Sequence, residues 1–131
     1  DGYWSRGLGD VYKRQTINGF IFIVLGLVWI ISPYDAGANF GILVIPEGLG
    51  RSSLIGDVGS YFFCIGLMMI LAVYTLKNIW FYAPAMLLSV TAIFRIISWA
   101  AHDATFATQF IIIEIVLVAI LLITSRKVSG N

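Results

Sequence analysis

Three ionisable side chains lie inside long apolar segments of this sequence: Asp57, Arg95 and Glu114. A charge near the centre of a bilayer costs about 2.5–3.5 kcal/mol on insertion scales, so such residues are normally paired or functional. One arginine between two carboxylates predicts a buried polar cluster, which His102 and Arg51 border. One interpretation of this cluster is a structural ion pair. The other follows from its surplus negative charge, two carboxylates against one arginine, and is a protonatable, water-accessible pocket for a proton, a cation or a small polar headgroup.

The spacing of the polar residues predicts two inward-facing helical seams. One helix face carries residues at i, i+3, i+4 and i+7, and a second carries residues at i, i+4, i+7 and i+11. The first seam is Asp57, Ser60, Tyr61 and Cys64, and the second is Thr91, Arg95, Ser98 and His102. Gly56, Ser60 and Cys64 also form a stripe of small residues that predicts helix packing on the same face.

Glu114 has only apolar neighbours on its own helix face, so its partner must come from another helix, and we expect Arg95. With a rise of about 1.5 Å per residue, Asp57, Arg95 and Glu114 lie roughly 6, 9 and 13 Å below the same end of the predicted spans. They can therefore meet. A single histidine and a single cysteine predict no metal site, and the sequence assigns neither a catalytic residue nor a cofactor.

The amino-acid composition indicates that most of this chain is surrounded by lipid. Of the 131 residues, 60% are hydrophobic and 11% charged, and the mean hydropathy is +0.94. Ordinary soluble domains are about 45–50% apolar and about 25% charged, so a soluble globular protein is excluded. The expected partner is the lipid bilayer, together with a homo-oligomer or a larger membrane complex. The net charge of +1, without a basic run, argues against nucleic acid.

Four apolar segments are long enough, or nearly so, to cross a hydrocarbon core, at about residues 16–32, 53–75, 79–101 and 105–125. Thr16 is the expected cap of the first span, and Pro33 follows its end. Only residues 76–78 separate spans two and three, which predicts a tight hairpin of neighbouring helices. The predicted fold is an all-α polytopic membrane protein, an antiparallel four-helix transmembrane bundle formed by residues 16–127 as one domain, with a tail at 128–131.

Basic residues near the span ends predict the orientation. Lys77 lies in the second connection and Arg126 and Lys127 follow the last span, whereas acidic residues predominate in the first and third connections. Both termini should therefore be cytoplasmic and the charged cluster should lie in the outer half of the membrane.

The first fifteen residues differ in composition from the rest and carry five of the fifteen charged side chains. They resemble translated sequencing-adaptor read-through, so we expect an artefactual or disordered tail, with a genuine polar tail as the alternative. For the first span, a signal peptide cleaved near Ala36-Gly37-Ala38 is a second interpretation. The connection from Pro33 to Ser52 contains the apolar run 40–45, which predicts a short strand or a loop across the bundle mouth, and is the expected lid.

The layout also resembles a known family. Four spans in a short chain, the segment from Gly50 to Ser60 that begins the second span, and Phe94-Arg95 late in the third are similar to the small bacterial membrane family called domain of unknown function 4345, broadly DoxX-like. The resemblance rests on Arg51, Asp57 and Arg95 and covers residues 16 to about 127. It implies a four-helix bundle in the bacterial inner membrane and transfers no catalytic residues.

The function that these features favour is a non-enzymatic membrane protein, either an accessory subunit or a binder of a small ligand or lipid beside the charged cluster. A small proton-coupled transporter is the alternative, although the inner half of the spans offers few polar side chains for a through-path. A membrane enzyme acting on a lipid or a quinone is the third interpretation.

Overall fold

The computed structural model describes the backbone of residues 2–129 and the side chains of residues 9–127, and this part of the chain is helical without a strand. The helices are α1 (Gly2–Ile31), α2 (Pro33–Asn39), α3 (Gly48–Leu54), α4 (Ser60–Thr75), α5 (Ile79–His102) and α6 (Thr108–Ser129), with a π-helical turn at Ile55–Gly59 between α3 and α4. Four continuous helical segments are long and apolar enough to cross a membrane: Gly9–Ile31, Gly48–Thr75, Ile79–His102 and Thr108–Lys127. The predicted all-α fold class with four membrane-spanning helices is confirmed.

The chain divides into two compact units. One comprises Arg14–Ile70 and is called here the α1–α4 unit. The other comprises the start of the chain up to Lys13 and the chain from Leu71 onward, and is called the α5–α6 unit.

Glycines set the closest approach inside the α1–α4 unit. A methyl group added to Gly26 would lie 2.7 Å from the carbonyl oxygen of Gly59 and 2.7 Å from the backbone nitrogen of Phe63. One added to Gly66 would collide with the carbonyl oxygen of Gly19. Because Gly19 lies against Gly66 and Gly26 against Gly59, α1 and α4 are antiparallel, and their backbones touch where a side chain is missing.

Aromatic and aliphatic side chains from the first connection cover one end of this helix pair. Trp29, Ala36 and Ile45 form a buried core, and Phe40 packs against both Trp29 and Phe62, at ring-centre distances of 6.3 and 5.1 Å. Burial of such side chains is worth roughly 1.5–3 kcal/mol each, which explains why a glycine-rich connection is ordered here. Of the two structures predicted for residues 40–45, the loop is confirmed and the strand is wrong, because this run is a turn followed by a loop.

Two polar contacts show how α5 and α6 are aligned in the α5–α6 unit. Near one end the Ser125 hydroxyl donates to the Asn78 side-chain oxygen at 3.2 Å, and further along the pair the Arg95 Nε donates to Glu114. The partners run in opposite directions along the two helices, so α5 and α6 are antiparallel. Between these contacts the helices bury an apolar seam that includes Ala85, Leu88, Ala92 and Leu121.

The predicted boundaries hold better in the second half of the chain than in the first. Residues 76–78 form the predicted three-residue connection, with Leu76 in the left-handed region at a φ of 57°. The predicted cap at Thr16 is wrong, because α1 runs without interruption from Gly2. Residues 2–15 are therefore helical rather than disordered. Of the predicted C-terminal tail, α6 includes the backbone to Ser129, and residues 130 and 131 lie outside the described residues.

Candidate functional site

Helical periodicity places an arginine and a glutamate opposite each other between α5 and α6. On α5, Leu88, Ala92 and Arg95 follow one another at four- and three-residue steps, so the arginine shares the face that packs on α6. On α6, Glu114 lies on the face of the buried residues Ile111 and Leu121. Each charge is about 9–11 Å from the nearer end of its helix, well inside a hydrocarbon core roughly 30 Å thick.

The two side chains form an ion pair with one guanidinium nitrogen. Nε of Arg95 lies 3.1 Å from Oε1 and 3.3 Å from Oε2 of Glu114, so a single N–H is shared by both carboxylate oxygens. The side chain of Glu114 is 10% exposed and that of Arg95 is 29% exposed. This confirms Arg95 as the predicted partner of Glu114.

The remaining surface of the guanidinium rests on an aromatic ring. The Arg95 Cζ lies 4.9 Å from the centre of the Phe110 ring, which is a cation–π contact. Such a contact is worth roughly 0.5–2 kcal/mol, more where water is excluded. Phe110 lies four residues before Glu114, one helical turn away, so α6 alone supplies both groups that hold the arginine. Phe110 is one of the apolar neighbours of Glu114 on its helix face, and an aromatic residue one turn from a buried acid indicates such a contact.

The pair leaves hydrogen-bonding capacity unused. Nη1 and Nη2 of Arg95 carry four N–H groups, and no acceptor among the described residues of the α5–α6 unit takes a hydrogen bond from them. In the same part of the chain, Glu114 accepts only from Nε, although its two oxygens offer about four acceptor positions. Unused donors and acceptors inside a membrane span are costly, which makes this pair the chemically notable feature of the unit.

Glu114 also lines an apolar groove between the two helices, of about 240 Å³. The groove extends over residues 88–96 of α5 and 114–118 of α6, and Ser89 is its other polar residue. Several rim side chains are exposed: Ile93, Ile96 and Ile115. The groove therefore opens on the surface of the chain, with a carboxylate at one end.

The other predicted residues of α5 have simpler roles. The Thr91 hydroxyl donates to the Leu87 carbonyl at 2.8 Å, one helical turn earlier. Ser98 is half-buried, and its carbonyl accepts the Ala104 N–H where the helix ends. His102 is the last residue of α5 and is exposed, so the burial predicted for it is wrong. The predicted seam is thus inward-facing at Thr91, Arg95 and Ser98.

Asp57 and Arg51 lie in the α1–α4 unit. Asp57 is part of the π-helical turn and its side chain is exposed, so its predicted burial is wrong. Arg51 donates through Nε to the Pro46 carbonyl at 3.0 Å, and its guanidinium lies 5.8 Å from the centre of the Tyr34 ring. Through these two contacts, with Pro46 and Tyr34, Arg51 attaches the first connection to α3. The membership of Asp57 and Arg51 in one cluster with the Arg95–Glu114 pair stays a prediction.

The predicted seam on α4 faces outward. Ser60 and Cys64 are exposed and Tyr61 is half-buried, and nothing lies within 4 Å of a methyl group placed on Gly56. The small residues that pack against α1 are instead Gly59 and Gly66. The physical reason is backbone contact: only glycine permits the approach seen at Gly26 and Gly19, whereas serine and cysteine are tolerated at the surface.

The described residues contain no group of three or more His, Cys, Asp or Glu side chains that could hold a metal ion. Comparison of the chain with protein-family models, curated proteins and solved structures finds no match.

Proposed function

We propose that this membrane protein binds a small, uncharged amphiphile in the groove between α5 and α6, with its polar head at the Arg95–Glu114 pair. The observation that carries the proposal is that Glu114 both completes an ion pair and lines an apolar groove. An ion pair that served packing alone would not need an adjoining cavity. We regard this binding role as non-enzymatic, because the pair offers hydrogen bonds but no activated nucleophile.

The charges of the pair indicate the kind of head group. Arg95 and Glu114 neutralise each other, so a charged head would leave one charge uncompensated in a medium that does not solvate it. Glu114 has unused acceptor positions and Arg95 has unused donors. A hydroxyl group matches both, since it donates one hydrogen bond and accepts others. A lipid alcohol or another hydroxyl-bearing amphiphile is therefore the proposed ligand.

The groove indicates the kind of tail. From the Glu114 end it extends over eight residue steps of α5, which is about 12 Å of helix. Its walls are aliphatic: Leu88, Ala92, Ile93, Ile96, Ile115 and Val118. Its volume of about 240 Å³ is below the 300–1,000 Å³ of ordinary small-molecule pockets, so it suits one alkyl chain rather than a ring system.

The test compares a long-chain alcohol with its methyl ether. Radiolabelled 1-decanol is bound to the purified full chain in vesicles, and unlabelled 1-decanol or decyl methyl ether is added as competitor. The ether accepts a hydrogen bond but cannot donate one to Glu114, so we expect it to compete about tenfold more weakly, the loss of one hydrogen bond to a charged group. Equal competition by the ether would refute the proposed role of Glu114.

Matched variants test the binding of the ligand's polar head and of its alkyl tail separately. Ser89→Leu fills the groove without touching the ion pair, and we expect it to abolish binding. Val90→Leu enlarges the adjacent side chain, which does not line the groove, and should bind as the native chain does. Glu114→Leu, which has no acceptor oxygen, should bring the alcohol and the ether to similar affinities. Native affinity in Ser89→Leu would show that the alcohol binds elsewhere.

We also propose the location and kinship predicted from the sequence: a multi-pass protein of the bacterial inner membrane, with cytoplasmic termini, related to domain of unknown function 4345. Lys77, Arg126 and Lys127 support the orientation, because basic connections favour the cytoplasmic side. In that orientation the Arg95–Glu114 pair lies in the outer half of the membrane.

A further inference from the structure

A second groove lies at the other end of the α5–α6 unit, where α5 begins and α6 ends. Its volume is about 380 Å³. It is lined by Tyr82 on α5 and by four residues of α6: Ala119, Leu122, Ile123 and Arg126. The proposed amphiphile site uses none of these residues, so this groove requires its own explanation.

The two polar side chains of the groove stand at its end nearest the helix termini. Arg126 is exposed, and it forms neither an ion pair nor a hydrogen bond with the described residues of its unit. Tyr82 is 49% exposed, and its hydroxyl has no hydrogen-bond partner among those residues. A guanidinium and a phenol that line one groove present several N–H donors and one O–H donor to it.

Along α5 and α6, the charges at this end are positive, and the part of α1 that belongs to the same unit adds one acidic and one basic described side chain, Asp10 and Lys13. From Leu71 onward, the basic residues at this end are Lys77, Arg126 and Lys127, whereas the acidic residues, Asp103 and Glu114, lie at the other end or within α6. A ligand attracted here carries negative charge. Arginine suits an anionic phosphate because its planar fork donates two parallel hydrogen bonds.

The remainder of the groove is apolar and continues into the span. Ala119, Leu122 and Ile123 extend it by about 10 Å from Arg126, and all three are exposed. A soluble anion would leave this apolar floor uncovered. A phospholipid covers it with the start of an acyl chain while its phosphate stays at the membrane surface.

We propose that the groove at Tyr82 and Arg126 is a binding site for an anionic phospholipid. The phosphate accepts hydrogen bonds from the Arg126 guanidinium and the Tyr82 hydroxyl, and one acyl chain lies along Ala119, Leu122 and Ile123. The site is independent of the amphiphile proposed above, since the two grooves share no residue.

The experiment measures lipid binding to the full chain in detergent by native mass spectrometry. Phosphatidylglycerol and phosphatidylcholine with identical acyl chains are titrated separately, and inorganic phosphate is added as a soluble competitor. We expect one saturable phosphatidylglycerol site, with phosphatidylcholine bound about tenfold more weakly, because its cationic choline opposes Arg126. Inorganic phosphate should not displace the lipid. Displacement would identify a soluble-anion site, and equal binding of the two lipids would overturn the proposal.

Variants locate the site. Arg126→Gln should weaken phosphatidylglycerol binding about tenfold, as expected for the loss of a charge-assisted hydrogen bond. Lys127→Gln removes the neighbouring charge, which does not line the groove, and should change binding less than about twofold. An equal loss in both variants would indicate a diffuse surface attraction and would refute a specific site.

A second pair of variants tests the acyl-chain position independently of charge. Ala119→Leu fills the groove from an exposed position and should reduce phosphatidylglycerol binding as strongly as Arg126→Gln does. Val116→Leu enlarges an exposed residue outside the groove and should have no effect. Native binding in Ala119→Leu would overturn the proposed course of the chain, even if Arg126→Gln failed to fold.

Discussion

Replacing Gly26 with alanine tests the packing of α1 against α4. The added methyl group would lie 2.7 Å from the Gly59 carbonyl oxygen and from the Phe63 nitrogen, about 0.7 Å short of the 3.4 Å at which ordinary contacts begin. Both neighbours are backbone atoms, so neither can rotate away. The helices must separate there. Gly9, on the same helix, has nothing within 4 Å of an added methyl group and provides the matched control.

Two opposing effects determine the expected magnitude. Alanine is favoured over glycine inside a helix by about 1 kcal/mol, and both variants gain this. Overpacking costs about 1–3 kcal/mol, and only Gly26→Ala incurs it. Separation of the helices would also loosen the contacts of Trp29, which is fully buried beside Gly59. We expect Gly26→Ala to be about 2–3 kcal/mol less stable than Gly9→Ala.

The assay is equilibrium unfolding in mixed micelles with increasing mole fraction of dodecyl sulfate, followed by circular dichroism and tryptophan fluorescence. The free energy of unfolding is compared among the native chain, Gly26→Ala and Gly9→Ala. If Gly26→Ala proves as stable as Gly9→Ala, the two helices do not meet through their backbones at this point, and the described packing of the unit is refuted.

Three further predictions concern the other half of the chain. Arg95→Gln and Glu114→Gln should each lower the free energy of unfolding by about 1–3 kcal/mol, with the double variant less destabilised than the sum, and a double-mutant cycle without coupling would contradict the ion pair. Leu76→Gly should raise thermal stability by about 1 kcal/mol, because Leu76 occupies the left-handed region, and a lower melting temperature would contradict this. Without the native cysteine, Lys77→Cys should be protected from an impermeant maleimide applied outside cells and Asp103→Cys labelled, and the opposite pattern would reverse the proposed orientation.

The sequence predicted the number of spans and the principal ion pair for clear physical reasons. An apolar run of the necessary length has few alternatives to a membrane-spanning helix, and the connection at 76–78 is too short for anything except a tight turn. Glu114 required a cationic partner from another helix, and Arg95 is a base inside a neighbouring span at a matching depth. The free-energy cost of an unpaired charge inside the membrane was sufficient to predict that Glu114 pairs with Arg95.

The helix faces could not be predicted in the same way. In a soluble helix the polar side marks the surface, but in lipid the surface is as apolar as the core, and polarity no longer indicates direction. The seam of Ser60 and Cys64 was therefore assigned to the interior, whereas the structure shows it exposed. A better signal was present: Gly19 and Gly26 of α1 are seven residues apart, as are Gly66 of α4 and Gly59 in the π-helical turn before it, and a spacing of seven puts both members of a pair on one helix face.

The first half of the chain differs from prediction because local rules compete there. Thr16 satisfies the rule for a helix cap, yet α1 continues through it, since no glycine or proline interrupts the backbone between Lys13 and Gly19 and helix propagation costs little once begun. The first connection contains several glycines, but Trp29 and Phe40 organise it through contacts that no spacing rule reveals.

The α5–α6 pair contains more polar contacts than its register requires. Ser125 and Asn78 already fix one end of the hairpin, and fully buried side chains such as Leu88 and Leu121 determine how the helices interlock between the ends. The ion pair adds a costly charge to a register that is already set. It engages one N–H of five on the guanidinium, far from the bidentate geometry that would best offset that cost. The Arg95 guanidinium and the Glu114 carboxylate thus keep unused hydrogen-bonding positions beside a groove. A ligand that completes those hydrogen bonds explains this arrangement better than packing does.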